Sequence, residues 1–330
     1  MSMLEHEKQI FEYEKLLKQL KEQNQDKVML SGEEIKQLET KLENLRKETY
    51  SKLTPVDRLA ICRHPKRPRS LDYIREMFDV FEEIHGDRLY RDDHAIITGF
   101  AEMGQHKFVV VAQEKGSDTE SRLFRNFGMP YPEGYRKAMR VMRLAEKFGL
   151  PILSFIDTPG AFAGLEAEER GQGWAIAENL REMARLKTPM ISLIIGEGCS
   201  GGALGIGVSD RILMLEHAYY SVISPEACTS ILWKDGTPEE LAQAKALVVE
   251  ALKLHSEDLI EQDIVDEMIP EPLGGAHYNP QEVYTKVKTA ILETLATLVT
   301  KSKEDLLEER YQKYRKIGKF LEKISPTVNL

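Results

Sequence analysis

Two apolar runs constrain this chain more than any other feature. Residues 151–156 (PILSFI) and residues 189–195 (PMISLII) each run without alternation into a polar, glycine-bearing loop. A strand with one face in water alternates apolar and polar residues, whereas an unbroken run is the pattern of a strand covered on both faces. Two further strands are expected upstream, at AIITGFAEM (95–103) and from KFVVVAQ (107–113) into a Gly loop, with a turn at Gly104-Gln105. Between the runs lie helical patterns: GYRKAMRVMRLAEKF, closed by Gly149, and a second helix over about 168–186. Downstream, residues 210–223 are expected to give two short strands, and a short strand follows near VDEMIPEP. Strands and helices in alternation define an α/β core.

The flanks differ. Residues 1–53 are almost free of Pro and Gly and rich in Glu, Lys, Gln and Leu. Leu16, Leu17 and Leu20 share a helical face, Ser31 and Glu34 have the spacing of a capping box, and Ile35, Leu38, Leu42 and Leu45 form a narrow seam. A coiled-coil-like helical hairpin is expected there. Residues 54–94 read as a helical and basic linker. Thr54-Pro55 starts a short helix, and Arg63, Lys66, Arg67 and Arg69 follow in a Pro-interrupted loop suited to phosphates, to an acidic partner or to plain solvation. Ser70 is expected to cap a helix over 71–84. Residues 95–270 form the core. Ser224-Pro225 opens a helix within it, and residues 271–330 form a helical extension with a long helical stretch over about 281–323, with an interruption expected near 300.

Composition excludes several functions. The net charge of -9 gives no general attraction to nucleic acid or anionic membrane. No segment approaches the ~18 apolar residues of a membrane span, and the charged N-terminus lacks the apolar stretch of a signal peptide. Cys62, Cys199 and Cys228 are scattered and form no CxxC pair, so neither a disulfide framework nor a metal site is expected. The chain reads as cytoplasmic. Neither GxGxxG after the first strand nor GxxxxGK[ST] occurs, which disfavours dinucleotide and P-loop sites.

Chemistry concentrates in the two loops that end the apolar runs, Asp157–Phe162 and Gly196–Ala203. The second opens a helix, whose free N–H groups favour an anion. Glycine lets a substrate oxygen approach such donors with no Cβ in the way, and two donors on one oxygen make an oxyanion hole. Tight helix–strand packing explains a single Gly-Gly equally well, but two such loops at successive strand ends favour function. Gly198–Gly202 also matches GxSxG, with Ser200 as the would-be nucleophile and His217, His255 or His277 as its base. None of these sits in a recognisable setting, and Ser200 reads better as a small helix-entry residue. Glu197 and Glu226 offer a different chemistry, general acid/base hydration of an enoyl group, against the plainer reading of capping or ion pairing.

Six segments in order carry a family signature: HGDRLYRDDHAIITG (85–99), RNFGMPYPEGYRKAMRVM (125–142), DTPGAFAG (157–164), ERGQGWAIAENL (169–180), GEGCSGGALGIG (196–207) and ISPEACTSILWKD (223–235). Together they resemble the carboxyltransferase alpha subunits of multi-subunit acetyl-CoA carboxylases along essentially the whole chain. The departure is Cys199-Ser200, where the family more often has Gly-Ser; a backbone donor survives that change. The resemblance implies a crotonase/ClpP-like fold of repeated ββα units. It implies carboxyl transfer from carboxybiotin, borne on a biotin carboxyl carrier protein, to acetyl-CoA, giving malonyl-CoA for fatty acid synthesis. It also implies a zinc-ribbon beta subunit in an α2β2 assembly and a separate biotin carboxylase that uses ATP. Within the chain it points to Gly201 and Gly202 as one donor edge toward the biotin ureido oxygen and to Gly160 and Ala161 as the other. Phe127, Gly128, Met129, Ser200 and Ala203 are expected to line the carboxybiotin cleft, and no metal is expected. The rival readings are a stand-alone acyl-CoA hydratase or isomerase dependent on Glu197 or Glu226, and a non-catalytic scaffold.

Overall fold

The computed structural model describes residues 7–26 and 30–318. Its centre is one eight-stranded sheet: β1 Val80–Glu83, β2 Ile96–Met103, β3 His106–Gln113, β4 Ile152–Thr158, β5 Met190–Cys199, β6 Arg211–Leu215, β7 Tyr219–Ser221 and β8 Glu267–Ile269. The order is β1-β2-β3-β4-β5-β6-β8, with β7 paired to the far end of β5. β1, β2 and β3 are antiparallel, and from β3 through β4, β5, β6 and β8 the pairing is parallel. Every residue of β4 and β5 is buried, as the unbroken apolar runs require.

The helices that cover the sheet are α6 Pro132–Phe148, α8 Gln172–Met183 and α9 Ser200–Gly207, with α13 Pro280–Leu298 and α14 Lys303–Lys316 closing the C-terminal side. The principal hydrophobic core runs from Tyr73, Ile74, Met77 and Phe78 through the strands to Val283, Val287, Ile291, Leu295, Leu298 and Leu306. Segments on both flanks of residues 95–270 therefore contribute to the same core. Arg310 of α14 is 2 % exposed and fixes that helix. It pairs with Asp210 at 2.7 and 2.9 Å and donates to the carbonyls of Met183, Leu186 and Thr188.

Helix α1 Lys8–Asp26 and helix α2 Gly32–Ser51 pack through Ile10, Leu17 and Leu42 with Leu38 and Leu45 beside them. The Ser31–Glu34 capping box is present, with Glu34 N donating to Ser31 Oγ at 3.2 Å and Ser31 N to Glu34 Oε2 at 2.8 Å. Leu16, expected on the same face as Leu17, is instead 57 % exposed. Arg46 of α2 lies over the Tyr278 ring, 4.8 Å from its centroid, which fastens the arm to the loop before α13.

Three sequence expectations are corrected. Ser70 does not cap a helix over 71–84. It is the first residue of α4 Ser70–Met77, and its hydroxyl donates to the Gln113 carbonyl at 2.6 Å. The rest of that stretch is edge strand β1, whose mostly exposed side chains show no alternation to read. The helix expected over 168–186 is two: α7 Leu165–Glu169 and α8, separated at Gly171 in left-handed backbone (φ 80°). The interruption expected near 300 in the C-terminal helix is present: α13 ends at Leu298, and Ser302 caps α14 by accepting from Asp305 N at 3.1 Å. Residues 319–323 lie outside the described residues. Among the described residues no helix is long and apolar enough to cross a membrane.

Candidate active site

The two glycine loops lie side by side because β4 and β5 are neighbours in register, with Thr158 opposite Gly198. β5 then turns sharply into α9 at Ser200, which adopts φ 58°. Gly201 and Gly202 occupy the first turn of α9, so their N–H groups have no intrahelical acceptor. Gly202 is held rigidly. Its carbonyl accepts from Gln113 Nε2 at 2.7 Å and Tyr135 OH at 3.2 Å, both buried. A Cβ on Gly202 would lie 2.4 Å from Ala161 N and 2.5 Å from the Gly160 carbonyl carbon. The loops thus meet backbone to backbone, and only glycine permits that contact. Gly201 faces more open space, since a Cβ added there would meet only Ile176, at 3.6 Å.

Gly160 departs from its expected donor role: its N–H is engaged by Thr158 Oγ1 at 3.0 Å. Ala161 N has no hydrogen-bond partner among the described residues. Thr158 also donates to the Gly128 carbonyl at 2.6 Å. Phe162 N donates to Pro130 O at 3.0 Å, and Gln172 Nε2 bridges the Pro130 and Phe162 carbonyls at 2.8 Å each. The 125–131 loop and the 157–162 loop are therefore one stitched unit. Asn126, Phe127 and Gly128 all take positive φ there, which turns Phe127 outward to 47 % exposure and leaves Gly128 buried. Met129 is partly buried beside them and Ser200 is exposed. Ala203, expected in the cleft wall, is wholly buried in the main core, because its position in α9 faces the sheet.

A pocket of about 240 Å³ opens beside Phe127 and Pro159. It is lined by Arg63, Arg69, Lys115 and Arg122, with Glu197 as the acid. Behind it, the buried Asp157 accepts from Lys115 Nζ at 2.7 Å, Arg69 Nη1 at 2.9 Å and Glu197 N at 3.0 Å. Glu197 is paired with Lys115 and, at 2.6 Å, with Arg63, and it accepts from Tyr219 OH at 2.9 Å. Burial alone would raise the Glu197 carboxyl, but Lys115 and Arg63 outweigh it and hold it far below the usual carboxylate range. Burial likewise opposes ionisation of Glu226, yet hydrogen bonds from Arg63 and Lys245 bring it to about 2. Both acids are engaged in ion pairs that favour the charged form, which argues against their use as the acid/base pair of a hydratase.

The basic loop is not a solvated linker, although Lys66 in it is exposed. Arg67 is sealed against Glu271, and Arg63 and Arg69 face acids of the site itself. The hydrolase reading also fails. His217 and His255 are buried, His255 Nε2 sits 3.0 Å from the Pro55 carbonyl, and His277 stacks on His64 at 3.6 Å. None is bonded to Ser200. Burial pushes the Cys199 thiol up to about 11, so it stays a neutral, packed side chain. Sequence reasoning singled out neither Lys115 nor Arg122. The signal for the first was a Glu-Lys pair closing an apolar strand just before Gly116. No cluster of three or more His, Cys, Asp or Glu suited to a metal occurs among the described residues.

The sheet has the crotonase-type fold. The transcarboxylase 12S core, solved with methylmalonyl-coenzyme A and methylmalonic acid bound, superposes with a TM-score of 0.57 at 17% identity, over 70% of this chain and 41% of that one. A Pseudomonas malonate decarboxylase hetero-tetramer chain gives 0.53 at 16% identity, over 66% of this chain and 84% of that one. Residues 3–318 match the family model described as acetyl co-enzyme A carboxylase carboxyltransferase-like, and the chain belongs to that family. A relative from Protochlamydia amoebophila, the acetyl-coenzyme A carboxylase carboxyl transferase subunit alpha, is 57% identical over 98% of this chain and 100% of its own length. The protein of the same name from Chlamydia caviae is 56% identical over 96% of each chain.

Proposed function

We propose that this chain is the alpha half of a two-chain carboxyltransferase, which with a beta chain moves a carboxyl group from carboxybiotin on a carrier protein to acetyl-CoA, giving malonyl-CoA. The observation that supports this reading is the backbone contact of two glycine loops, Gly202 against Gly160 and Ala161, beside acids held in ion pairs; in this reading Gly201, Gly202 and Ala161 supply the N–H donors at one edge. Such an edge stabilises negative charge on an oxygen without offering a proton. Carboxybiotin supplies the activated carboxyl group and a ureido oxygen on which charge develops as that group departs. The chain's part is to bind and orient the ring, with Phe127 and Met129 as its flanking wall, and to aim fixed dipoles at the oxygen. A beta chain of related fold completes the site by holding the acyl-CoA, and we place the α2β2 assembly in the cytoplasm, where biotin carboxylase reloads the carrier.

The test is malonyl-CoA-dependent carboxylation of free biotin. Activity is expected only when this chain is mixed with a zinc-containing beta chain from the same source. Turnover by this chain alone would show a complete site and overturn the two-chain reading. No turnover in the mixture would overturn carboxyl transfer itself.

Thr158 ties the donor loop to the Phe127 loop, so its loss should shift donors rather than remove them. In the same assay Thr158→Val is expected to lower kcat by roughly tenfold to a hundredfold, with KM little changed. Thr158→Ser, which keeps the hydroxyl, should retain most of the activity. Full activity in Thr158→Val with a loss in Thr158→Ser would mean that the methyl packing matters and the hydroxyl bridge does not.

A further inference from the structure

The pocket beside Phe127 holds more positive charge than its own acids neutralise. Lys115 and Arg63 are both paired with Glu197. Arg69 and Arg122 are not fully used. Arg69 is 6 % exposed and touches Asp157 through Nη1 alone. Its Nε is buried without a partner, and its Nη2 makes no hydrogen bond among the described residues. The side chain of Arg122, on α5 Thr119–Phe124, has neither an ion pair nor a hydrogen bond among the described residues, its backbone N–H being bonded to the Asp118 carbonyl. A nearly buried guanidinium with unused donors is costly unless something accepts from them. Two open guanidinium edges suit the two oxygens of one carboxylate.

The rest of the lining narrows the ligand. Phe127 and Pro159 give the pocket an apolar side next to its cations. Its 240 Å³ is below the ~300 Å³ at which sites for drug-sized molecules begin. It therefore takes a small group, or the end of a larger molecule. A charged head beside a carbon surface fits a carboxylate on a short carbon body better than a phosphate, which is charged on every side.

We propose that this pocket is a carboxylate subsite, in which Arg69 and Arg122 bind the terminal carboxylate of a small acyl or ureido group while Phe127 and Pro159 cover its carbon body. Pro159 adjoins Gly160, which touches Gly202, so the subsite lies next to the donor edge. That the bound carboxylate is the one transferred rests on the carboxyltransferase reading. That the pocket binds a small carboxylate does not.

The test uses the full chain and 13C-labelled malonate, followed by NMR titration at low salt, with malondiamide as the neutral isostere and inorganic phosphate as the rival anion. Saturable malonate binding is expected, with no binding of malondiamide and weaker binding of phosphate. Arg122→Gln should weaken malonate about tenfold with an unchanged melting temperature, and Arg122→Lys should recover part of the loss. Absence of malonate binding, equal binding by Arg122→Gln, or tighter binding of phosphate than malonate would each overturn the subsite. If malonate binds as expected while the two-chain mixture makes no malonyl-CoA, the carboxyltransferase reading falls and the subsite stands. If the mixture is active and malonate does not bind, the reverse holds.

Discussion

Gly202→Ala is expected to reduce malonyl-CoA formation by the assembled two-chain enzyme roughly a hundredfold to a thousandfold, the effect of losing one well-placed oxyanion donor. The added methyl has nowhere to go, since it would lie 2.4 Å from Ala161 N and 2.5 Å from the Gly160 carbonyl carbon. Neither is the end of a flexible side chain, so one of the two loops must move. Gly202 cannot readily yield, because Gln113 and Tyr135 hold its carbonyl from below. The strain therefore falls on Gly160 and Ala161, and the two donor edges separate. Gly201→Ala is the internal comparison. Its methyl meets only Ile176, at 3.6 Å, an ordinary contact, so that variant should keep the loops in place. Any loss it shows reports on approach of the ring and not on loop geometry. Both variants should still assemble with the beta chain and bind malonate in the Arg122 pocket. Full activity in an assembled Gly202→Ala enzyme would rule out the loop contact as the seat of catalysis.

The sequence displayed the parts of this fold that hydrophobic burial controls. The runs at 151–156 and 189–195 could only be strands covered on both faces, and they are the two central strands, β4 and β5. The glycine loops were legible for the same reason: a buried strand that ends in Gly-rich polar chain must present its backbone to something. What escaped was set by partners distant in sequence. β1 is an edge strand whose pairing with β2 is a matter of backbone bonds, so its side chains carry no period. The ion-pair frame joins Arg69 to Asp157 across 88 residues and Arg63 to Glu197 across 134, a relation that no local pattern encodes. Ala203 was misplaced because a short helix of small residues gives no clue to which side faces the sheet.

The frame also explains why a site built on backbone N–H groups needs so many buried charges. Main-chain donors cannot be tuned by their own side chains, so their positions must be fixed by whatever grips the loops. Asp157 does this for β4 and β5 together. It receives the Glu197 N–H from the neighbouring strand and is itself held by Lys115 from the end of β3 and Arg69 from the basic loop. Three strand ends and one loop thereby share one carboxylate. Glu197 then anchors Arg63, which reaches Glu226 at the start of α10 Pro225–Leu232.

Arg67→Met should destabilise the chain by ~3–5 kcal/mol, the usual cost of leaving one member of a buried ion pair alone. Arg67 and Glu271 are both fully buried at the side chain, joined by two parallel bonds of 2.8 and 2.6 Å. Burial alone would push the Glu271 carboxyl up, but Arg67 holds it at about 2. Without the guanidinium, Glu271 keeps the backbone N–H groups of His217 and Ala276, too little to support a charge in that interior. It must then take up a proton, so the variant should gain stability as the pH is lowered toward a raised carboxyl pKa, whereas the parent gains nothing there from this pair. Urea denaturation at several pH values reads both effects. Replacing both residues, as Arg67→Met with Glu271→Leu, should cost less than Arg67→Met alone, because no unpaired charge remains. A double variant as unstable as the sum of the two single ones would mean that the residues act independently and that the pairing contributes nothing. The consequence reaches the site, since Arg67 Nε also holds the Ile195 carbonyl at 2.9 Å, one residue before the loop that leads β5 into α9. A single Met there should therefore loosen the strand end on which Gly201 and Gly202 depend, and turnover should fall before the fold is lost.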